Sequence, residues 1–251
     1  MTKGETYRKL IKMNLSTMAK EYDRQSEDLL IQKLPFDDRF QMMIDQEYAM
    51  RQKRRLDRII KASGIPEKDA NLADIYYGEH RDISRTTIER FASCSYITER
   101  KNALFMGPTG SGKSYIASAL ALEACKRDYT VRFAVTDDIF DDFKATEGNP
   151  ALRQKVLAFY RKPQLLVIDE FLRIPITSKQ ANDLFRIISY RKDNKLPMLI
   201  CSQYADSVWA QLIDDPVIAE ALIDRIIHTK YKLYINTDGT GKSMREVFGY
   251  M

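Results

Sequence analysis

The sequence predicts an α/β fold, a parallel five-stranded sheet with helices on both faces, preceded by a small helical N-terminal domain. Three observations predict it. The apolar run 102–106 leads into Gly107-Pro108-Thr109-Gly110-Ser111-Gly112-Lys113-Ser114 and then into an Ala- and Leu-rich stretch, 114–127. Strand, glycine loop and helix therefore stand in the order that a phosphate-binding loop needs. A second run, Leu165-Leu166-Val167-Ile168, ends in Asp169-Glu170, and strands this apolar are buried on both faces, as in a parallel sheet. From residue 101 onward strand-like and helix-like segments alternate, the pattern of packed βαβ units.

Residues 1–66 have a helical texture and no strand signal. Leu10, Met13, Leu15 and Met18 fall on one face of an early helix. Residues 37–63 read as one long charged helix with Phe40, Met43, Ile44, Tyr48, Leu56, Ile59 and Ile60 at helical spacing, and Gly64-Ile65-Pro66 stops it. On this helix Arg51, Lys53, Arg54, Arg55, Arg58 and Lys61 form a basic array with only Asp57 against it. The array is either a solvated helix face or a patch for DNA or an acidic partner. Residues 67–100 connect to the second domain. In them Leu72-Ala73-Asp74-Ile75-Tyr76-Tyr77 either forms a platform under an adenine or packs on the core.

In the second half, 130–135 reads as the second strand, with Asp137 or Asp138 capping the helix that follows. Residues 151–161 form a helix, and 178–192 another with Leu184, Ile187 and Ile188 inward. A fourth strand covers 197–202, an apolar helix 217–228 and a fifth strand 231–235. The expected division is a helical partner-binding domain at 1–66 and an ATPase domain at 67–251.

The chemistry follows from the two motifs. Gly107 through Ser114 satisfies the Walker A pattern, two glycines five apart followed by Lys and Ser. Backbone N–H groups of such a loop wrap nucleotide phosphates, and the next helix N-terminus adds partial positive charge. Lys113 is expected to reach the β- and γ-phosphates of ATP, and Ser114 to ligate Mg²⁺. Asp169 ends the Walker B strand 56 residues after Lys113, at the strand end where open α/β sheets bind ligands. It is expected to hold Mg²⁺ directly or through water, and Glu170 to orient and deprotonate the attacking water. Gly239-Thr240-Gly241-Lys242-Ser243 imitates this loop, but Asn236 stands where its first glycine belongs. Asp238-Gly239 there reads as a hairpin turn.

A net charge of +5 is compatible with nucleic acid without being diagnostic. The cysteines, Cys94, Cys125 and Cys201, are scattered, and Cys125 and Cys201 read as core thiols in a reducing, cytoplasmic compartment. Two histidines are too few for a metal cluster, and no apolar run is long enough for secretion or membrane insertion.

With both Walker motifs and the tail in view, the chain resembles the IstB family, ATP-dependent helpers of insertion-sequence transposases related to the bacterial helicase loader DnaC. The resemblance covers nearly the whole chain. It is carried by Glu47-Tyr48-Ala49-Met50-Arg51-Gln52-Lys53-Arg54-Arg55-Leu56, by the Walker motifs, and by the tail set Cys201-Ser202-Gln203, Trp209, Asp215-Pro216, Leu222-Ile223-Asp224-Arg225 and Gly241-Lys242-Ser243-Met244-Arg245. It implies a P-loop AAA+ three-layer fold, assembly as a homo-oligomer, binding of duplex DNA in the ATP state largely independent of sequence, and delivery of that DNA to a partner transposase.

The resemblance also assigns roles. Gln203 stands where AAA+ proteins place a polar γ-phosphate sensor, with Ser202 the competing choice. Arg225 stands where related loaders place an arginine finger, which reaches a neighbouring subunit's γ-phosphate. Arg245 resembles a second sensor. The chain departs from the general pattern here, because it ends at Met251 with no room for a C-terminal helical lid. Arg245 then either touches nucleotide from the core or packs at a subunit interface. Extra helices are expected within 137–162, with Lys144, Arg153, Lys155, Arg161 and Lys162 as cations for DNA and Phe143 and Tyr160 as stacking groups. A DnaC-like helicase loader is the alternative. Such loaders often carry a cysteine-rich zinc module, and this chain has no cysteine before Cys94.

Overall fold

A computed structural model of the protein describes residues 3–78, 81–229, 231–237 and 243–247. The chain divides into two compact units, Met1–Arg58 and Ile59–Met251.

The first unit holds α1 (Lys3–Lys12), α2 (Ser16–Glu27) and most of α3 (Phe36–Ser63). Leu10 and Met18 do not share a helix, contrary to the expectation of one early amphipathic helix. Asn14 adopts φ 58° between them, a conformation that Asn tolerates better than most residues, and the chain turns there. Leu15 at the start of α2 offers no side-chain cap, so its first N–H groups need outside acceptors. Glu47 of α3 supplies them, its Oε2 accepting from the N–H of Thr17 and of Met18, each at 3.0 Å. Arg51 Nε donates to the other oxygen at 2.9 Å. Burial alone would raise the Glu47 carboxyl. The bonds from Arg51, Met18 and Thr17 outweigh it and hold it below the usual carboxylate value. Further along α3, Arg51, Arg54, Arg55 and Arg58 line an open cleft of about 390 Å³ with Asn14 and Gln52. Phe36, Phe40, Ile44 and Tyr48 lie exposed at four-residue spacing on the same helix.

The second unit begins with the end of α3, which Gly64 stops at φ 75°. A 3₁₀ turn (Leu72–Asp74), α4 (Arg85–Ala92) and α5 (Ser95–Thr98) lead into the alternating region. This runs β1 (Ala103–Met106), α6 (Lys113–Lys126), β2 (Val131–Val135), α7 (Thr136–Lys144), α8 (Pro150–Arg161), β3 (Leu165–Asp169), α9 (Ser178–Asp193), β4 (Met198–Ser202), α10 (Pro216–Ile227), β5 (Tyr231–Tyr234) and α11 (Met244–Val247). All strand pairings are parallel, in the order β2-β3-β4-β1-β5. This is the expected five-stranded parallel sheet.

Period-two alternation splits the strand side chains between two faces. Leu104, Leu166, Ile168 and Ile200 pack in one cluster with Ile139 of α7, Leu157 of α8, Leu184 and Ile188 of α9 and Leu222 of α10. Phe105 points the other way and meets Phe91 of α4 edge-on at 4.9 Å. Two helices do lie between β2 and β3, as expected. Two details differ. Position Val135 precedes α7 without a side-chain cap, and Asp137 and Asp138 lie in its first turn instead of capping it. Phe143 and Tyr160 are 2% exposed and belong to the core, so neither is available for stacking on bases. Their apolar rings fall on the inward stripe of α7 and α8.

Candidate nucleotide-binding site

Strand register assembles the site. Met106 of β1 lies opposite Ser202 of β4, and Ile168 of β3 opposite Ile200 of β4. Asp169 at the end of β3 and the residues that follow these strands, Gly107, Glu170 and Gln203, therefore lie along one end of the sheet. Gly107 N–H donates to Ser202 O at 3.2 Å. Gly107 has φ 144°, and a Cβ there would sit 2.0 Å from Ile235 O, so only glycine lets the chain pass this close to β5.

The loop delivers Lys113 to the first turn of α6 with its side chain 7% exposed. Its Nζ donates to Gly107 O at 2.7 Å and Pro108 O at 2.8 Å. The ammonium thus sits inside the loop's own curve, held by two of its carbonyls. Burial lowers its pKa, while Asp169 and Glu170 act in the opposite direction. A buried ammonium inside a loop of backbone groups is suited to an anionic ligand such as a phosphate.

Asp169 is buried at the end of β3. Its Oδ1 accepts from the Glu170 N–H at 2.9 Å, and its backbone O accepts from Thr136 Oγ1 at 3.0 Å. Glu170 takes φ 52°, a left-handed conformation that costs a non-glycine residue about 1 kcal/mol or more. Phe171 N–H, bonded to Cys201 O at 2.8 Å, helps hold this turn. The turn leaves the Glu170 side chain 44% exposed, with Oε2 3.0 Å from Arg173 Nε. Arg173 also donates to Asp137 Oδ2 at 2.5 Å. Ser114 is half-buried at the second position of α6.

Gln203 and Ser202 separate by what they touch. Ser202 is fully buried, donates to Phe171 O at 2.9 Å and accepts from Tyr204 N–H and Trp209 Nε1, each at 3.2 Å. Its hydroxyl is committed to structure. Gln203 Oε1 accepts from Thr109 Oγ1 of the loop at 2.8 Å.

Arg225 is not brought to this end of the sheet. Arg225 donates Nη1 to Ala221 O at 2.6 Å, and its guanidinium lies 4.7 Å from the Phe185 ring centre. Its backbone O accepts from Asn102, at the opposite end of β1 from the loop. The Arg245 side chain lies outside the described residues, as does the turn expected at Asp238-Gly239. Among the described residues no three His, Cys, Asp or Glu group as a metal cluster.

Sequence reasoning missed the loop's outer supports. Arg81, 2% exposed, donates Nη2 to Ser111 O and Nη1 to Tyr76 O, the latter at 2.5 Å. Met244 N–H donates to Gly110 O at 2.8 Å. No local signal marks Arg81 as a support of the loop, because Ser111 is 30 residues away and Asn236, its other distant partner, 155 away. The segment 72–77, expected under an adenine or on the core, sends Ile75 into the core, and the Asn71 N–H before it donates to Tyr115 Oη of α6 at 3.1 Å.

The model of the IstB-like ATP binding proteins matches residues 8–247. The chain belongs to that family. A relative named as an ATP-binding protein of insertion sequence IS5376 in Geobacillus stearothermophilus is 24% identical over 94% of this chain and 92% of its own length. The crystal structure of DnaI has a TM-score of 0.59 at 22% identity, covering 69% of this chain and 95% of DnaI. That of the DnaC helicase loader has a TM-score of 0.55 at 24% identity, covering 66% of this chain and 97% of the loader. At these identities the likeness concerns fold, and the IstB-like chain has the α/β P-loop AAA+ architecture. Among its described residues no helix is long and apolar enough to cross a membrane.

Proposed function

We propose that this chain hydrolyses ATP as a homo-oligomer assembled on duplex DNA, and hands that DNA to a partner transposase. The observation that carries the catalytic part is the Lys113 ammonium held inside the glycine loop, with Asp169 and Glu170 within electrostatic reach. The family's name and the insertion-sequence relative support the transposition setting.

In this reading the loop N–H groups and Lys113 bind the phosphates, and Lys113 exchanges its two carbonyl contacts for phosphate oxygens. Ser114 and Asp169 hold Mg²⁺, which neutralises charge on the phosphates when bound. Glu170 takes the proton of the attacking water after leaving Arg173. Gln203, already bonded to Thr109, orients against the γ-phosphate. Arg225 lies at the wrong end of its own sheet for this chemistry and acts across a subunit interface. Residues 1–66 dock the transposase or DNA, and the exposed cations Lys144, Lys155 and Lys162 contact DNA phosphates.

The test is ATP turnover and nucleotide affinity, with and without duplex DNA. Lys113→Ala is expected to weaken both binding and turnover, and Glu170→Gln to keep ATP bound while turnover falls about 10²–10⁴-fold. Turnover near the wild-type rate in Glu170→Gln removes that residue from the mechanism.

A further inference from the structure

Arg81 is a buried cation with its guanidinium against three backbone carbonyls, one five residues back in its own segment and two from distant parts of the chain. Nη2 donates to Ser111 O in the loop. Nη1 donates to Tyr76 O at 2.5 Å, and Nε approaches Asn236 O at 3.5 Å beyond β5. Its own backbone O accepts from Asn236 N–H at 3.1 Å. A rigid fork of donors can serve several acceptors at once, which a lysine ammonium on a flexible stem does poorly.

The Ser111 bond has a stereochemical consequence. A trans peptide is planar, with its C=O and N–H pointing to opposite sides. Fixing the Ser111 carbonyl toward Arg81 therefore aims the Gly112 N–H away from Arg81. Among the described residues nothing accepts from that N–H. The next peptide begins α6, so this N–H stands at the helix N-terminus, where anions are favoured.

Resting on the nucleotide-binding reading above, we propose that Arg81 is a positioning residue for the phosphate loop. It holds the Ser111–Gly112 peptide so that its N–H faces the nucleotide phosphates, and it ties that orientation to the segments before α4 and after β5. Arg81 itself does not touch the nucleotide.

A control separates positioning from plain stability. Arg191 is also fully buried and also serves backbone carbonyls, among them Pro163 O at 2.9 Å and Pro197 O at 2.7 Å, next to the starts of β3 and β4, away from the loop. ATP affinity of the full-length chain is measured by fluorescence titration well below the unfolding temperature, with melting temperatures alongside. Arg81→Lys is expected to raise the ATP Kd about tenfold or more, equivalent to roughly 1.4 kcal/mol per tenfold. Arg191→Lys is expected to lower the melting temperature while leaving the Kd at the wild-type value. Arg81→Gln, neutral but still a donor, serves if the lysine variant does not fold. A wild-type Kd in the folded Arg81 variants overturns the proposal, as does an equal loss of affinity in Arg191→Lys. A wild-type chain that binds no ATP overturns the nucleotide-binding reading and this proposal with it.

Discussion

Arg173 Nε lies 3.0 Å from Glu170 Oε2, and the same guanidinium reaches Asp137. The carboxylate assigned to water activation is therefore engaged by a cation of its own turn, three residues along. Its oxygen has to leave Arg173 before it can take a proton from water, so this pair restrains the proposed general base.

Arg173→Ala is accordingly expected to raise ATP turnover measured without DNA by a few-fold, since an exposed ion pair contributes only about 1 kcal/mol or less. Steady-state phosphate release reads this directly. A rate that falls would mean that Arg173 supports the reaction.

Arg225→Ala is expected to lose roughly 10³-fold of turnover with ATP still bound, the usual worth of an arginine finger. Mixing it with Lys113→Ala should restore part of the activity, because one mixed interface joins an intact loop to an intact Arg225. Mixtures that co-assemble without rescue would refute action across an interface.

Lys144, Lys155 and Lys162 are exposed, whereas Arg153 pairs with Asp183 and Arg161 bonds Arg186 O at 2.7 Å. Replacing the three lysines by Ala should flatten the slope of log affinity for duplex DNA against log salt by about 0.9 for each phosphate no longer neutralised. Filter binding across a salt series decides it, and an unchanged slope places the DNA-binding surface elsewhere.

Charge reversal at Arg54, Arg55 and Arg58 tests the arginine cleft of α3. Loss of DNA binding with transposase binding kept makes the cleft a DNA contact, and the converse makes it a protein-docking surface. If neither changes in pull-down and gel-shift assays, the cleft is a solvated helix face.

The thiols give a pH prediction. Burial pushes Cys94 up to about 11 and Cys125 up to about 12, and raises Cys201 as well. Unfolded thiols ionise near about 8.5. The folded state therefore keeps protons that the unfolded state loses, so this contribution is fully present below about pH 8.5 and is lost as pH rises toward about 11–12. Native protein at pH 8 should resist thiol-specific alkylation, with all three thiols reacting after denaturation; rapid reaction of folded protein would contradict it.

The sequence by itself determined the nucleotide loop, the strand ending in Asp169-Glu170 and the parallel α/β class. Each of these is a local property. Glycines at set spacing, an apolar run long enough for one strand, and helical periodicity in α9 are written within a dozen residues or fewer. The long helix up to Gly64 was legible for the same reason, a periodic pattern with a glycine stop. Local reading failed where one backbone torsion overrode periodicity, as at Asn14 between Leu10 and Met18. It also failed where a residue's apolar body decided its place, as with Phe143 and Tyr160. Only the tertiary structure decided that Ser202 is consumed by Phe171 and Trp209 while Gln203 reaches Thr109, that Arg173 holds Glu170, and that Arg225 lies away from its own loop. Above all, it brought Arg81 beneath Ser111. The pairings of Gln203 with Thr109 and of Arg81 with Ser111 join residues far apart in the chain, set by strand order and register, and hydrogen bonds made across such separations leave no period or spacing in the sequence.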